Sequence, residues 1–351
     1  MADRKPVSDG GMAPAVTLSI IVPSYNARDL LADCLQSLYE NPPSEAYEII
    51  VIDDASADGT SEMVRTRFPE VRLLRNEINS HYAHSNNLAF KIARGQFFYL
   101  LNSDTIVLPK ALDQMLAFLR EHPEAGVVGS KLLNGDGTVQ WSVKSLPSLG
   151  SALFGARSII TRLFPNNRYS RQHLLHLDRD MTEPFTAGYV SSASIMLPRK
   201  VVEEVGDLDR RLSYHVDADY CKRIANAGYH SYYLPTATII HLDHKGGTMV
   251  SLKRRFRSLV EFHVGSYIFY RKHIQRTSIT PMHGLVIVGL FCRFLLSLTA
   301  RLLLELRGVL ASVVTGTVYG GRRDAASKDP GSRSLAAAGA LGPVAKPRGD
   351  R

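Results

Sequence analysis

The sequence predicts an α/β protein built on a mostly parallel sheet flanked by helices. Three observations predict it. Short apolar runs alternate with segments of helical periodicity over residues 18–129, the pattern of strands joined by crossover helices. Acidic residues stand just past the ends of these runs, at Asp53-Asp54 and Asp104, where open α/β sheets bind ligands. The chain has 351 residues, 45% of them hydrophobic and 21% charged, a globular composition long enough for one large domain with additions or for two domains.

Taken in order, residues 18–23 read as a first strand ending at Pro23, and Leu30, Leu31, Cys34, Leu35 and Leu38 recur at helical spacing. Residues 47–52 form a second strand. Met63 and Val64 sit on a short helix that Thr60 or Ser61 can cap. A third strand covers 71–74. A helix covers 80–93, with Gly95 as its expected C-cap. A fourth strand covers 96–101, Leu112, Met115, Leu116 and Leu119 mark another helix, and 126–129 is a fifth strand. The regularity then breaks. Residues 145–183 mix Gly, Pro, Arg and His with apolar pairs and predict a long excursion over one face. A strand resumes at 190–197, followed by a short helix at 201–205 and a helix at 217–227 closed by Gly228. Two short strands, 232–235 and 236–240, precede His241.

Net charge is +9. Much of the excess lies in 252–276, where Lys253, Arg254, Arg255, Arg257, Arg271, Lys272 and Arg276 face one acid, Glu261. Such a run fits nucleic acid or an anionic membrane, and its place just before a long apolar segment favours the membrane and argues against nucleic acid. That segment, 284–314, is broken by Arg293 and followed within the helix by Arg301, Glu305 and Arg307. A span needs about 20 mostly apolar residues, and an arginine at mid-bilayer is costly, so an interfacial or re-entrant helix, a single span and a buried soluble helix all stay open. The expected organisation is a disordered N-terminus over 1–15, a catalytic domain over 16–250, a basic amphipathic helical region over 251–283, a hydrophobic membrane-associated helix over 284–320 and a disordered tail over 321–351. Cys34, Cys221 and Cys292 have neither metal-ligand spacing nor a disulfide pattern, which suits a reducing compartment. No apolar stretch within 1–15 suggests a cleaved signal.

Each polar motif admits a structural reading beside a chemical one. Asp53 and Asp54 can accept hydrogen bonds from a nucleoside, or cap the next helix. Asn102-Ser103-Asp104 can offer oxygen ligands to Mg²⁺ or Mn²⁺, or form an ordinary turn. Asp217 and Asp219 stand two apart at a helix start, so they point to different sides; one can face a cleft as a base while the other pairs with Arg223. His241 can be a metal ligand or a satisfied structural histidine, with His244 a competing candidate.

Their joint order decides between these readings. The chain resembles family 2 glycosyltransferases with the GT-A fold, a Rossmann-like sheet flanked by helices. It is most similar to rhamnosyltransferase-like and galactofuranosyltransferase-like members of bacterial polysaccharide synthesis. The segments that carry the resemblance are Ser19 to Asn26, Val51 to Gly59, Asn76 to Asn79 with Asn86-Asn87, Leu101 to Thr105, Lys131 to Gln140, and Gly206 through Asp217-Ala218-Asp219 to His241. Together they span residues 17–246. The resemblance implies a nucleotide-diphosphate sugar donor held by Pro23, Tyr25, Asn26, Asp53, Asp54, Asn79, Asn86 and Asn102. It implies a divalent metal, Mn²⁺ or Mg²⁺, on Asp104 and His241, and Asp217 as the general base of an inverting transfer, with Asp219 and Arg223 in support. It further implies a saccharide or lipid-linked acceptor, and a place at the cytoplasmic face of the inner membrane, peripheral or held by one C-terminal span. The chain departs from the pattern at Val216, where an acid usually precedes the base, at Asn102, Ser192 and Leu208. A Gln-x-x-Arg-Trp signature of processive synthases is missing, and the single tryptophan is Trp141. A nucleotidyltransferase would need a glycine-rich basic loop after the first strand, which Pro23-Ser24-Tyr25-Asn26 does not supply. A non-catalytic nucleotide-sugar-binding module stays open on account of Val216 and Asn102.

Overall fold

The computed structural model describes residues 15–148, 175, 179–242, 252–275 and 281–314. The expectations for the N-terminal residues, for most of the 145–183 excursion, for His244 and Arg276, for the tail, and for the side chains of Lys253, Arg254, Arg255, Arg301, Glu305 and Arg307 lie outside the described residues. The chain divides into two compact units, 1–298 and 299–351. The sheet, the cleft and every side-chain contact below belong to the first.

Strands β1 (Leu18–Ser24), β2 (Tyr47–Asp53), β3 (Arg72–Arg75) and β4 (Phe97–Leu101) pair in parallel in the order β3-β2-β1-β4. Helices α1 (Arg28–Glu40), α2 (Thr60–Arg67) and α3 (His81–Ile92) connect them. Side chains alternate across a strand, so Leu18, Ile20 and Val22 meet one apolar cluster, with Leu31 and Leu35 of α1 and Val64 of α2. Ile21 meets the opposite cluster with Phe90 of α3. Both faces are covered, which is why these strands read as unbroken apolar runs.

The second half of the sheet is mixed. After β4 come β5 (Thr105–Val107), α4 (Ala111–Glu121), β6 (Ala125–Leu133), β7 (Val139–Gln140), β8 (Val143–Lys144), β9 (Phe185–Ala187), β10 (Tyr189–Val190), β11 (Ser194–Pro198), α5 (Arg199–Val205), α6 (Val216–Asn226) and β12 (His230–His241). Strand β11 inserts antiparallel between β4 and β6. Strand β12 runs parallel to β6 and antiparallel to β5. The two short strands expected before His241 are one, with a register irregularity between Leu234 and Thr238; Pro235 lies there and has no N–H to give the ladder. Helix α6 ends as expected, with Gly228 at φ +91°. Two further helices follow, α7 (Leu252–His273) and α8 (Pro281–Val314).

Two capping expectations fail for physical reasons. Helix α2 starts after Gly59 in the left-handed conformation, and its first N–H, from Thr60, goes to the side chain of Asp58 at 3.1 Å, so neither Thr60 nor Ser61 is the cap. Helix α3 ends at Ala93 in an extended conformation, and Gly95 serves close packing instead. A Cβ on Gly95 would lie 2.5 Å from the Ser19 backbone N and 2.8 Å from the Leu18 backbone carbon. Those atoms belong to the central strand and cannot yield easily. Gly95→Ala is therefore expected to destabilise the fold by about 1–3 kcal/mol, read as a lower midpoint in urea unfolding with an unchanged slope.

Candidate active site

The loops after β1 and β2 are tied to each other. Asn26, at φ +48°, donates its backbone N–H to Ser56 Oγ at 2.9 Å, and its side-chain oxygen accepts from the Ala57 N–H at 2.8 Å. Asp58 accepts from the Arg28 N–H at 2.9 Å. Asp53 and Asp54, expected to touch a nucleoside, are buried, and the protein's own groups engage their oxygens. Asp53 accepts from the Ser56 N–H at 2.9 Å and from the Ser61 hydroxyl. Asp54 accepts from Asn76 Nδ2 at 2.7 Å and from the N–H groups of Ser80 and His81 at 2.9 and 2.8 Å, at the start of α3, where a carboxylate is favoured. Asp54 thus caps the start of α3 and Asp53 braces the loop before α2. Asn86, also expected near the donor, is fully buried; its Nδ2 donates to the Tyr82 carbonyl at 2.9 Å, and its Oδ1 is buried without a partner among the described residues. Tyr25 is exposed, and Pro23, Asn26, Asn79 and Asn102 are partly so.

The second group forms where β4 ends. Strand β12 pairs with β5 so that His241 lies opposite Thr105, and the Leu242 N–H donates to the Asp104 carbonyl at 2.9 Å. This sets His241 Nε2 3.3 Å from Asp104 Oδ1 and 3.5 Å from Asn102 Nδ2. The other ring nitrogen, Nδ1, lies 2.7 Å from Gln140 Oε1 on β7. An amide oxygen accepts, so Gln140 selects the tautomer with hydrogen on Nδ1. The Nε2 lone pair then faces a carboxylate oxygen, and two acceptors at that distance call for a proton or a cation between them. Among the described residues, no three His, Cys, Asp or Glu side chains form a metal-sized group. A cation here would take two protein ligands and complete its shell from elsewhere, which suits Mg²⁺ or Mn²⁺ beside a phosphate.

The third group is the start of α6. Asp217 borders a small, mainly apolar pocket with Tyr82, Leu100, Ser192, Val216 and Tyr220. Burial pushes its carboxyl above the ordinary range, opposed by the Ala218 N–H at 2.8 Å, the charge of Lys144 and the Ser192 N–H. The Tyr82 hydroxyl donates to the Ser192 carbonyl at 2.9 Å, fixing the segment that holds Asp217. Asp219 points the other way, as the two-residue spacing predicts. It is fully buried and meets Arg223 Nε at 3.0 Å, Lys272 Nζ at 2.8 Å and His273 Nε2 at 2.7 Å. Burial alone would raise its carboxyl, but the bonds from His273 and Lys272 and the charge of Arg223 outweigh that and hold it below the ordinary range. His215, in the left-handed conformation just before α6, contacts Ser266 Oγ at 2.9 Å. Burial, with the charges of Arg293 and Lys144, pushes it down to about 4, so it is neutral at pH 7.

A sequence model described as glycosyl transferase family 2 matches residues 19–206, more than half of the chain. The chain belongs to that family. Its activity is therefore that of a glycosyltransferase. The N-acetylglucosaminyl-diphospho-decaprenol L-rhamnosyltransferase of Mycobacterium tuberculosis is 26% identical over 269 residues, covering 72% of this chain and 83% of the relative. Among solved structures, a mannosyltransferase of Pyrobaculum calidifontis in complex with GDP-Man and Mn²⁺ matches with a TM-score of 0.50 at 18% identity, over 90% of this chain and 85% of that one. GalNAc-T7 with UDP, GalNAc and Mn²⁺ matches with a TM-score of 0.51 at 15% identity, over 76% of this chain and 52% of that one. The GT-A fold expected from the motifs is the fold these glycosyltransferases share.

Sequence reading missed Gln140, Tyr82, Ser192 and Lys144 as neighbours of the candidate groups. Gln140 closes a segment already noticed for its pattern, but its partner His241 lies 101 positions away. Lys272 entered the sequence reading only as part of the basic run, and His273 did not enter it at all; both meet Asp219. Their partner carboxylate contributes stability above its unfolded pKa and loses it as pH falls through the depressed folded value. Asp219→Asn is thus expected to cost about 3 kcal/mol, because it leaves buried cations facing an uncharged amide. Wild-type stability should fall on acidification below about pH 4, and the variant's should fall less steeply over the same interval, both read by urea unfolding across pH.

Proposed function

We propose that this family 2 glycosyltransferase is an inverting, metal-dependent enzyme. It would transfer a sugar from a nucleotide-diphosphate donor to a saccharide or lipid-linked acceptor in bacterial cell-surface polysaccharide synthesis. The observation that carries the proposal is the division of labour around the ends of β4 and α6. Asp104 and His241 face each other at 3.3 Å with a lone pair and a carboxylate converging, while Asp217 keeps a raised carboxyl beside a separate pocket. The donor set fits Mn²⁺ or Mg²⁺, with Asn102 close by and Gln140 holding the histidine. When bound, such an ion would offset the charge of the departing nucleoside diphosphate.

The nucleoside would lie against Pro23, Tyr25, Asn26 and the 54–58 loop, with Asn79 near. Asp53 and Asp54 would shape that wall rather than touch the base. Asp217, partly desolvated, would take the proton of an acceptor hydroxyl. The freed oxygen would attack the anomeric carbon as its bond to the diphosphate breaks, inverting the configuration. Asp219, tied to α7 and Arg223, would fix the first turn of α6 and so aim Asp217. The donor would be dTDP-rhamnose or a UDP-sugar; the name of the mycobacterial relative, an L-rhamnosyltransferase acting on N-acetylglucosaminyl-diphospho-decaprenol, supports a rhamnosyl group and a polyprenyl-diphosphate saccharide as acceptor. An acceptor of that kind suits an enzyme at the cytoplasmic membrane surface, and the apolar C-terminal helix agrees with it.

Asp217→Asn separates a base from a binding residue. Nucleoside-diphosphate release in the presence of acceptor should fall by about 10²-fold or more, with donor affinity by calorimetry changed less than threefold. Turnover within tenfold of wild type would remove Asp217 from the chemistry. Wild-type kcat should decline on acidification at a pH above the ordinary carboxylate range, since the base must be ionised and burial raises its pKa.

A further inference from the structure

We infer that residues 281–298 of α8 bind an anionic bilayer by lying in its surface plane, their outward face in the headgroup boundary, and do not cross it. This deepens the membrane association proposed above and rests on it. By composition the segment Pro281–Ala300 is long enough to span, with a mean hydropathy of 1.8 and only 6% of it buried. Its packing forbids that placement. Residues 283–294 of α8 run antiparallel along α7. Phe294 meets Phe256 and His263 at 6.2 and 5.5 Å between ring centres, the Arg293 guanidinium sits 5.0 Å over the Phe262 ring, and His283 meets Tyr267 and Tyr270 at 5.8 and 5.9 Å.

Helix α7 in turn belongs to the catalytic domain. Phe269 is in its core, Lys272 and His273 hold Asp219, and a Cβ on Gly265 would lie 2.8 Å from the Tyr214 carbonyl oxygen. To surround residues 283–294 with lipid, α7 would have to leave the domain or enter the hydrocarbon with its lysines and arginines, which the bilayer strongly disfavours.

The two faces of α8 match an in-plane helix. His283, Val286, Leu290, Arg293, Phe294 and Ser297 repeat at helical spacing on the side toward α7, and each is at least partly covered. His283 and Arg293 are the histidine and the one charged side chain of 281–300, so both are drawn to the protein side. The opposite side exposes Leu285, Val288, Phe291, Leu295 and Leu296, from 43% to 65%. An exposed apolar face of this extent marks an interaction surface. Lys272 is held by Asp209 and Asp219, and Arg257 pairs with Glu261; the other Lys and Arg residues of 252–276 leave the segment a net positive charge that complements anionic headgroups, the combination that seats a helix at an interface. Arg293, which interrupts the apolar run in the sequence, is thus no obstacle to lipid contact, because Phe262 receives it.

Cys292 supplies the test. It is exposed, while Cys34 and Cys221 are buried with thiols pushed up to about 12 and about 11 by burial, so a thiol-reactive dye should select Cys292. The full chain is labelled there with an environment-sensitive fluorophore. In a Cys292→Ser background it is labelled in turn at Leu285→Cys and Leu296→Cys. Those two positions lie on the outer face about 16 Å apart along the helix axis. Each protein is mixed with phosphatidylglycerol–phosphatidylcholine vesicles carrying bromine at shallow or deep acyl positions. In-plane binding predicts a blue shift at all three sites and strongest quenching by the same shallow bromine. Quenching depth that changes progressively from 285 to 296 would overturn the inference in favour of a span. A blue shift that grows with protein concentration without vesicles would overturn it in favour of a second copy on this face. Absence of any response to vesicles would remove membrane association itself, while wild-type turnover that Asp217→Asn lowers would leave the transferase reading intact.

Discussion

The candidate site depends on the pairing of β12. This strand lies between β6, to which it is parallel, and β5, to which it is antiparallel. Strand β5 begins one residue after Asp104, so the pairing of His241 with Thr105 sets the imidazole beside the carboxylate. Strand side chains alternate with period two. A slip of one residue would turn His241 to the other face and remove it from both Asp104 and Gln140. The irregularity near Pro235 lets the first part of β12 keep register with the core of β6 while its last residues keep register at the site. Core packing of Tyr233, Leu234, Ala237 and Ile239 therefore helps to fix a polar contact several residues away.

A second constraint separates two aspartates that share one helical turn. Asp217 and Asp219 have the same chemistry and nearly the same backbone position, yet burial raises one carboxyl and surrounding cations lower the other. The difference comes from α7. Its end places Lys272 and His273 against Asp219, and Arg223 adds a guanidinium from α6 itself. Asp217 has only backbone N–H groups and the charge of Lys144. Desolvation with few partners favours a group that takes a proton, whereas desolvation with many partners favours a group that holds position. Helix α7, expected from its charge as a basic region next to the membrane, forms a wall of the catalytic domain.

The sequence made the parallel half of the fold legible because its strands are covered on both faces and are short enough to stand out as apolar runs. Asp104, His241 and Asp217 stood out because each follows or opens an element, and Asp219 with Arg223 because four-residue spacing on a helix makes contact. What was not legible depends on distance along the chain. The antiparallel insertion of β11, the close passage of Gly95 over β1, the Gln140 support of His241 and the α7 cations around Asp219 are tertiary facts with no local signature. Asp53 and Asp54 show the converse. Their placement after a strand suggested ligand contact, but α3 and the 54–61 loop needed caps, and the carboxylates serve those first. Arg293 misled in the same way, since a sequence reports a charge within an apolar run but not the ring that receives it.

The proposed transfer turns on Asp104 and His241 acting together through a divalent ion beside a nucleoside diphosphate. The most direct measurement is the melting temperature of the purified protein with Mn²⁺ and each of UDP, dTDP and GDP, compared with EDTA, in the wild type and in His241→Ala. A ligand that binds the folded state raises stability by mass action. The account predicts a metal-dependent rise with one nucleoside diphosphate in the wild type that His241→Ala abolishes. An equal rise in the variant, or a nucleotide response indifferent to EDTA, would contradict it.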